Sequence, residues 1–230
     1  MKIVALLPMK KNSQRVKGKN FRDLAGKPLF RWILDTLLEV EQIEQVVINT
    51  DARDILAEAG LTEAERVLIR DRKAALCGDF ISMNRVLEDD IENVPADIYL
   101  MTHTTNPLVS ADTLRKAITL YKKVVSEKTG DSVFTVNKVQ TRFYRKDLSP
   151  VNHDPDNLIR TQDLEPWFEE NSNIYVFSSE SFAASKSRIG KKPKMLEMRR
   201  IESVDIDDAD SWKIAEALAA HSDSYRSKEP

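Results

Sequence analysis

A loop after the first apolar run of the sequence is rich in cations and could hold phosphate groups. The run Ile3–Leu7 ends at Pro8, and residues 1–22 contain no acidic side chain. The loop carries six cations: Lys10, Lys11, Arg15, Lys17, Lys19 and Arg22. With Ser13 and backbone amides, several of these cations could hold a triphosphate. The spacing matches neither a Walker A loop nor a dinucleotide fingerprint, so a solvated basic loop and a local nucleic-acid patch stay open as alternatives.

Two aspartates near the carboxyl end of the sequence could hold a hard divalent cation. In Ser203–Asp207, Asp205 and Asp207 alternate with apolar residues, so a strand there would place both carboxylates on one face. Two adjacent carboxylates repel each other unless a cation neutralises them. Mg²⁺ is held by one or two carboxylates together with water and phosphate oxygens. The segment therefore predicts a strand and a magnesium site, with solvated carboxylates as the alternative, whereas Asp208 and Asp210 are predicted only to cap and polarise the last helix.

Neutral hydrogen-bonding side chains follow another predicted strand. The segment Thr102–Leu108 includes His103, Thr105 and Asn106, whose imidazole, hydroxyl and amide groups suit the hydroxyls of a sugar. A polar turn is the alternative interpretation, and Ser110 is predicted to cap the next helix.

The order of the predicted elements would bring these segments together. Short apolar runs alternate with segments of helical period, which is typical of an α/β sandwich with a mainly parallel sheet. The predicted strands are Ile3–Leu7, Gln45–Asn49, Arg66–Ile69, Ile98–Met101, Ser132–Val136, Asn173–Phe177 and Ser203–Asp207, with a further apolar run at Lys194–Met198. The predicted helices lie over about residues 29–40, 83–91, 114–125, 179–184 and 208–219. Ligands of such sheets bind beyond the carboxyl ends of the strands, where the basic loop and the Thr102–Leu108 segment should lie.

The alternation breaks over residues 139–171, which we interpret as an insertion in a single domain covering residues 1–230. The stretch holds three prolines and the aromatic residues Phe143, Tyr144, Trp167 and Phe168. An irregular stretch of this length in a compact domain is usually functional, and an interaction arm is one such function.

Composition excludes several classes of function. Lys and Arg total 35 and Asp and Glu total 37, so the net charge of −2 argues against a general nucleic-acid or membrane-surface binder. The single cysteine, Cys77, excludes an intrachain disulfide and a multi-thiolate metal site. No stretch approaches the ~18 apolar residues of a membrane span, and the first apolar run is too short for a signal peptide. We therefore expect a soluble, cytoplasmic protein that binds neither nucleic acid nor membrane.

Several short segments, taken in order, resemble the CMP-sugar synthetases, and in particular the acylneuraminate cytidylyltransferase branch. The similar segments are Gly18-Lys19-Asn20, Leu24-Ala25-Gly26-Lys27-Pro28-Leu29, Asn49-Thr50-Asp51, Thr105-Asn106-Pro107-Leu108, Asn173-Ile174-Tyr175 and Val204-Asp205-Ile206-Asp207. The resemblance implies a three-layer α/β/α, Rossmann-like nucleotidyltransferase sheet. It also implies a Mg²⁺-dependent reaction of CTP with a keto-sugar acid, such as a sialic-acid-like nonulosonate, that gives a CMP-sugar and pyrophosphate.

The residue chemistry and the resemblance together predict roles for individual residues. Catalysis would fall to Lys10, Lys19, Asp205 and Asp207, the last two as magnesium ligands. Nucleotide binding would fall to Lys10, Asn12, Ser13, Arg15, Lys19, Asn20 and Ser82. Sugar binding would fall to His103, Thr105, Asn106, Arg142, Arg160, Gln162 and Tyr175.

Two residues depart from the family pattern, and two arginines of the 139–171 stretch imply a partner subunit. Lys10 stands where the family usually has arginine, and His103 stands where it has glutamine. Arg142 and Arg160 are similar to basic residues that reach the neighbouring subunit's sugar pocket. The resemblance therefore implies a homodimer in which the 139–171 stretch completes the partner's site, and a mobile lid on a monomer is the alternative.

Other functions stay open at this point. A different nucleotide, or a KDO-type sugar, would make the protein another sugar nucleotidyltransferase. The departures at Lys10 and His103 would also suit a non-catalytic nucleotide-sugar binding protein on the same fold. An RNA-binding role is disfavoured because the net charge is close to zero and the basic loop has no interleaved aromatic residues.

Overall fold

The computed structural model describes residues 1–13 and 16–221 of the chain. Its helices are α1 (Leu29–Leu38), α2 (Arg53–Glu58), α3 (Met83–Asn93), α4 (Ala111–Ser126), α5 (Ser179–Ser185) and α6 (Ala209–Ala219). Its strands are β1 (Ile3–Leu6), β2 (Asp23–Leu24), β3 (Lys27–Pro28), β4 (Gln45–Thr50), β5 (Val67–Asp71), β6 (Ile98–Thr102), β7 (Ser132–Val139), β8 (Trp167–Phe177) and β9 (Pro193–Glu197). Short 3₁₀ turns lie at Lys19–Phe21, Ala74–Leu76 and Thr161–Asp163.

One mixed sheet carries the fold. Within the described ranges its strand order is β5-β4-β1-β6-β8-β7-β9, and β2 pairs with β3 in a separate hairpin. β8 is antiparallel to both of its neighbours, β6 and β7, whereas the other neighbouring pairs of the large sheet are parallel. All its strands except β8 therefore point the same way, which confirms the predicted mainly parallel sheet.

The first strand shows why helices cover both faces of the sheet. All four side chains of β1 are buried. Ile3 and Ala5 pack with side chains of α1 and α4, whereas Val4 and Leu6 pack on the other face with side chains of α3 and α5. Because successive side chains of a strand point to opposite faces, a continuous apolar run must be covered twice. The three-layer α/β/α arrangement is thus confirmed.

The predicted helix caps are present. Ser110 Oγ accepts from the Thr113 N–H at 3.2 Å at the start of α4. Asp208 accepts from the Ser211 N–H at 2.8 Å at the start of α6, with Asp210 in the first turn. In residues 1–13 and 16–221, no helix has both the length and the apolar character needed to cross a membrane.

The acidic segment differs from its prediction. Residues 204–207 form no strand, so the predicted strand Ser203–Asp207 is wrong. The Ile206 N–H donates to the Thr105 carbonyl at 2.9 Å, and the Asp207 N–H donates to Ser211 Oγ at 2.9 Å. These hydrogen-bond partners belong to a loop and to the start of a helix rather than to a strand. The segment is therefore not paired with a neighbouring strand.

Two other elements differ in extent. Periodicity does not predict α2, because this helix has only six residues and buries only Leu56. β8 begins at Trp167 instead of Asn173, because residues 167–170 are exposed on an extension paired with β7 and lack apolar alternation. Val139 and residues 167–171 of the predicted irregular stretch therefore belong to strands. That the stretch is a dimerisation arm stays a prediction.

Candidate functional site

A cleft of about 320 Å³ opens at the edge of the sheet where parallel strands end. Its walls come mainly from the loops that follow β1, β5 and β6, together with the start of α3. Six residues predicted from the sequence line this cleft: Lys10, Ser13, Lys19, Asn20, His103 and Thr105. The carboxyl ends of parallel strands are where open α/β sheets bind ligands, so the cleft is the candidate site.

Lys10 lies in the cleft with a partner that a ligand could replace. Its Nζ is 2.6 Å from Asp79 Oδ1, and both side chains are 42% exposed. An ion pair exposed to this degree is screened by water and contributes at most about 1 kcal/mol. A phosphate group could therefore take the place of Asp79 at little cost in free energy.

Asn20 ties the basic loop to the loop after β6. Its Nδ2 donates to the Lys10 carbonyl at 2.8 Å, and its Oδ1 accepts from Thr104 Oγ1 at 2.6 Å. The side chain is buried. Gly18, two residues earlier, has φ 64°, a left-handed conformation that glycine adopts without steric strain. The chain turns there into the 3₁₀ turn that carries Lys19 and Asn20.

Lys19 joins the basic loop to the acidic segment, 187 residues further along the chain. Its Nζ donates to the Ile206 carbonyl at 2.6 Å and lies 3.9 Å from Asp207 Oδ1. The lysine side chain is only 11% exposed. Ile206 is fully buried in an apolar cluster that includes Val16 and Trp212. The packing of Ile206 therefore holds the flanking carboxylates beside the basic loop.

Asp205 and Asp207 have the chemistry of a magnesium site. Both are partly exposed while Ile206 between them is buried, so the predicted alternation survives without a strand. Asp205 Oδ1 accepts from Asn106 Nδ2 at 3.4 Å. Among the residues that the structure describes, no group of three or more His, Cys, Asp or Glu side chains could hold a metal. A pair of carboxylates fits Mg²⁺ that completes its shell with water and phosphate oxygens.

His103 stays neutral at the wall of the cleft. Burial, with smaller effects of the nearby cations Arg188 and Lys19, lowers the pKa of His103 to about 3. A neutral imidazole donates one hydrogen bond and accepts another, as a side-chain amide can. A group with this pKa is a poor general base near pH 7, so the geometry suits a role in binding rather than in proton transfer.

The sequence interpretation missed Arg72, which also lines the cleft. Its Nε donates to Asn49 Oδ1 and its Nη2 donates to the Asn49 carbonyl, both at 2.8 Å. Asn49 is fully buried and donates from Nδ2 to Asp90 Oδ1 at 2.8 Å. Burial lowers the pKa of Arg72. The available signal was a single arginine directly after β5.

Other cations of the basic loop have partners of their own. Lys11 Nζ lies 3.6 Å from Asp54. The Arg22 guanidinium lies 4.4 Å from the centre of the Trp212 ring, on the first turns of α6. Lys17 is exposed. The charge of the loop is therefore divided between the cleft and its own surroundings.

Two predicted nucleotide-binding residues, Asn12 and Ser82, do not line the cleft, and a third, Arg15, lies outside the described residues. Asn12 is exposed on the basic loop. Ser82 is exposed at the start of α3 and lines a second cavity next to the cleft.

The predicted sugar-binding residues of the 139–171 stretch contact that stretch itself. Arg142 Nη2 donates to the Ile159 carbonyl at 2.6 Å, and Arg160 Nε is 2.7 Å from Asp163 Oδ2. Gln162 is exposed, and its carbonyl accepts from Gln140 Nε2 at 3.1 Å. In the described part of the chain, none of the three predicted residues lines the cleft.

Two further predicted residues do not line the cleft. Asn106 is fully buried on the loop after β6, and its Nδ2 donates to Asp205 Oδ1 at 3.4 Å. Tyr175 is buried in the core on β8, and its hydroxyl donates to Glu170.

The sheet order and the position of the cleft are those of the nucleotidyltransferase fold. A similar solved structure is CMP:2-keto-3-deoxy-manno-octonic acid synthetase complexed with CTP. It matches with a TM-score of 0.66 at 14% identity, over 96% of this chain and 99% of that chain. At this level of identity the likeness shows the shared fold.

The sequence places the chain within that class. Residues 4–223 match the cytidylyltransferase family, and the chain belongs to this family. It is 29% identical to CMP-N,N'-diacetyllegionaminic acid synthase of Legionella pneumophila, over 95% of this chain and 96% of that protein. It is 27% identical to N-acylneuraminate cytidylyltransferase of Oncorhynchus mykiss, over 93% of this chain and 49% of that protein. The chain thus spans about half the length of the second relative.

Proposed function

We propose that the protein transfers the cytidylyl group of CTP to a keto-sugar acid of the nonulosonate type. The anomeric hydroxyl oxygen would bond to the α-phosphorus of CTP while the bond from that phosphorus to the β-phosphate oxygen breaks. The products are a CMP-sugar and pyrophosphate, and the hydroxyl proton passes to solvent. The names of the two relatives, which contain diacetyllegionaminic acid and N-acylneuraminate, support this substrate class. The observation that carries the proposal is the contact of Lys19 with Ile206 and Asp207.

The cations of the cleft would bind the phosphates. Lys19 is held in place before the nucleotide arrives, because its ammonium group already has a fixed carbonyl partner. Lys10 would exchange Asp79 for a phosphate oxygen. Phosphoryl-type transfer needs positioning and charge neutralisation more than covalent help from the protein. Two ammonium groups on one side of the cleft meet that need for the leaving pyrophosphate.

Asp205 and Asp207 are the residues that would hold Mg²⁺. When bound, the ion would polarise the α-phosphate and lower the pKa of the attacking hydroxyl. The protein's own contribution is to hold the two carboxylates next to Lys19 through the buried side chain of Ile206. Asn106 orients Asp205 from the other side.

The sugar would contact the neutral groups of the cleft. His103, Thr105 and Asn106 lie on the loop after β6, and Tyr175 lies beside this loop on β8, which pairs with β6. We further propose a homodimer in which Arg142, Arg160 and Gln162 reach the partner's sugar. The exposed aromatic side chains Trp167 and Phe168 at the root of this stretch support an interface there.

Mixing two inactive variants tests the shared site. Asp207→Asn removes a metal ligand of one cleft, and Arg160→Ala removes a contribution to the partner's cleft. If each cleft uses an arm from the other subunit, mixed dimers contain one intact site and regain activity. A mixture that stays inactive after subunit exchange, or a monomer in sedimentation, would contradict the dimer.

Two measurements test the reaction itself. Calorimetric titration with the four ribonucleoside triphosphates should show the tightest binding for CTP. Pyrophosphate release from CTP, Mg²⁺ and a panel of keto-sugar acids should require an acid of the nonulosonate type. Tighter binding of a purine nucleotide would point to another sugar nucleotidyltransferase. Tight CTP binding without release for any sugar acid would point to a binding protein.

A further inference from the structure

Two arginines on the same face of β5 have different kinds of partner. Arg70 lies on β5 and Arg72 follows its last residue, so their side chains point the same way. Arg70 Nη2 is 3.0 Å from Asp89 Oδ2, and Arg70 Nη1 donates to Asp90. Within residues 1–13 and 16–221, every side-chain hydrogen bond of Arg72 goes instead to a neutral oxygen. The charge of Arg70 is therefore neutralised inside the protein, whereas the charge of Arg72 can act on a ligand in the cleft.

Asn49 holds Arg72 in this position. Asn49 pairs with Arg70 in the register of β4 and β5, so its side chain lies on the face that both arginines share. Its Oδ1 accepts from Arg72 Nε and its main-chain carbonyl accepts from Arg72 Nη2, both at 2.8 Å. A carboxylate at this position would fix the guanidinium and also neutralise its charge. An amide oxygen accepts the same hydrogen bond and leaves the charge in place.

Asp90 determines which way the Asn49 amide faces. Asn49 Nδ2 donates to Asp90 Oδ1 at 2.8 Å, and both side chains are fully buried. An ionised carboxylate only accepts and a guanidinium only donates, so just one orientation of the amide satisfies both neighbours. The opposite orientation would place donor against donor at Arg72 and acceptor against acceptor at Asp90. A buried polar group left unsatisfied in this way is costly, so the amide orientation is fixed.

Asp90 is held in its turn by the charges around it. It lies on α3 next to Asp89, and Arg70 contacts both acids. Lys73 forms a further ion pair with Asp89. Asp90 Oδ2 has no hydrogen-bond partner in the described part of the chain, so Oδ1 carries the contacts to both Arg70 and Asn49.

A continuous row of contacts thus runs from α3 through Asn49 to the cleft. We infer, resting on the proposed function, that Asn49 and Asp90 are positioning residues for nucleotide binding: they hold the Arg72 guanidinium in the cleft with its charge intact. Neither residue lines the cleft, so both act on the nucleotide through Arg72.

A double-mutant cycle tests whether Asn49 acts through Arg72. Calorimetric titration with CTP and Mg²⁺ measures Kd for each variant. Arg72→Met should raise the Kd about 10- to 150-fold, because a hydrogen bond to a charged group is lost. Asn49→Leu should raise it about 5- to 20-fold. In the Arg72→Met background, Asn49→Leu should change the Kd by less than about twofold, because no guanidinium remains to be positioned. A merely structural role would give the same factor in both backgrounds and would overturn the inference.

Two variants of Asp90 test the next contact in the row. Asp90→Asn keeps an oxygen for Asn49 and Arg70, and its amide nitrogen takes the place of Oδ2, which has no partner among the described residues. We expect a Kd for CTP within about threefold of the wild-type value. Asp90→Leu removes the acceptor and should raise the Kd about as much as Asn49→Leu does. Wild-type affinity in Asp90→Leu, or equal losses in both variants, would overturn the role of Asp90.

Asn93→Leu is the matched control, because Asn93 is a second asparagine bonded to the same pair of acids. Its Nδ2 donates to the Asp89 carbonyl at 2.7 Å and to the Asp89 carboxylate at 3.4 Å. The Kd for CTP should not change in this variant. In steady-state kinetics, Asn49→Leu should raise the KM for CTP and keep kcat within about threefold. Asn49→Ala serves in the same cycle if the leucine variant melts near the assay temperature.

Binding and turnover keep the two proposals apart. If no sugar acid releases pyrophosphate, the proposed reaction fails, and the cycle still decides the positioning role from Kd values alone. If another nucleoside triphosphate binds more tightly than CTP, the same cycle is run with that nucleotide. If Arg72→Met leaves the Kd of the nucleotide within about threefold of wild type, the inference is overturned even where the enzyme turns over.

Discussion

Replacing Lys19 with methionine should weaken CTP binding much more than the same replacement at Lys17. The Lys19 side chain is 11% exposed, and its Nζ is fixed at 2.6 Å from the Ile206 carbonyl. Methionine keeps most of the volume and removes the charge. A hydrogen bond to a charged group contributes about 1.5–3 kcal/mol, so the Kd for CTP should rise about 10- to 150-fold. Lys17 is exposed on the same loop, where screening limits the change to about threefold.

The assay is calorimetric titration of both variants with CTP in the presence of Mg²⁺, paired with thermal unfolding. Lys19→Met also leaves the Ile206 carbonyl without its donor, so the free energy of unfolding should fall by about 1–2 kcal/mol. Titration well below the unfolding temperature separates that effect from binding. A Kd for Lys19→Met within about threefold of wild type, or equal losses in both variants, would refute the assignment of Lys19 to the phosphates.

Three further outcomes can be checked on single variants. Asp207→Asn should lower pyrophosphate release by at least about 100-fold with little change in melting temperature, and restored release at high Mg²⁺ would argue for weakened metal binding. His103→Gln should keep kcat/KM within about tenfold of the wild-type value. In the wild-type protein, NMR should show no titration of the His103 ring from pH 5 to 8, because its pKa in the folded state is about 3. Burial raises the pKa of Asp90 to about 6, above its unfolded value of about 4, so the folded state binds more protons in that window. The Asp90 contribution to the free energy of unfolding should therefore fall as pH rises from about 4 to 6, and Asp90→Asn should remove that slope in pH-dependent unfolding.

Buried strands were predictable because their sequences leave few choices. β1 is a continuous apolar run and β4 contains the apolar run Val46–Ile48, and runs of this kind between helical segments are typical of a parallel sheet that is covered on both faces. The residues of β8 before the bulge are exposed, so nothing in their hydrophobic pattern indicates a strand. The segment 204–207 has the alternation of a strand because Ile206 is buried. An alternating pattern of apolar and polar residues indicates which side chains are buried. It does not indicate whether a neighbouring strand is present to pair with the segment.

The sequence predicts which charged residues lie near the site, but it does not predict which partner each of them contacts. Lys10 and Arg22 lie on the same loop, yet one faces Asp79 in the cleft and the other lies against Trp212. Both are cations on one short segment, so the sequence does not show which of them faces the cleft. The difference arises from the packing of α6, which brings Trp212 against Arg22. Arg72 escaped prediction because a single arginine after a strand carries no pattern. Its orientation depends on Asn49, which lies 23 residues earlier, near the end of the neighbouring strand β4.

Ile206 explains how a fold can assemble this site from distant segments without a strand. Its side chain is buried beside α6, its N–H bonds to the loop after β6, and its carbonyl receives Lys19 from the loop after β1. One residue therefore fixes the acidic segment to both loops of the cleft. The neighbouring carboxylates are thus held beside the basic loop although residues 204–207 form no strand.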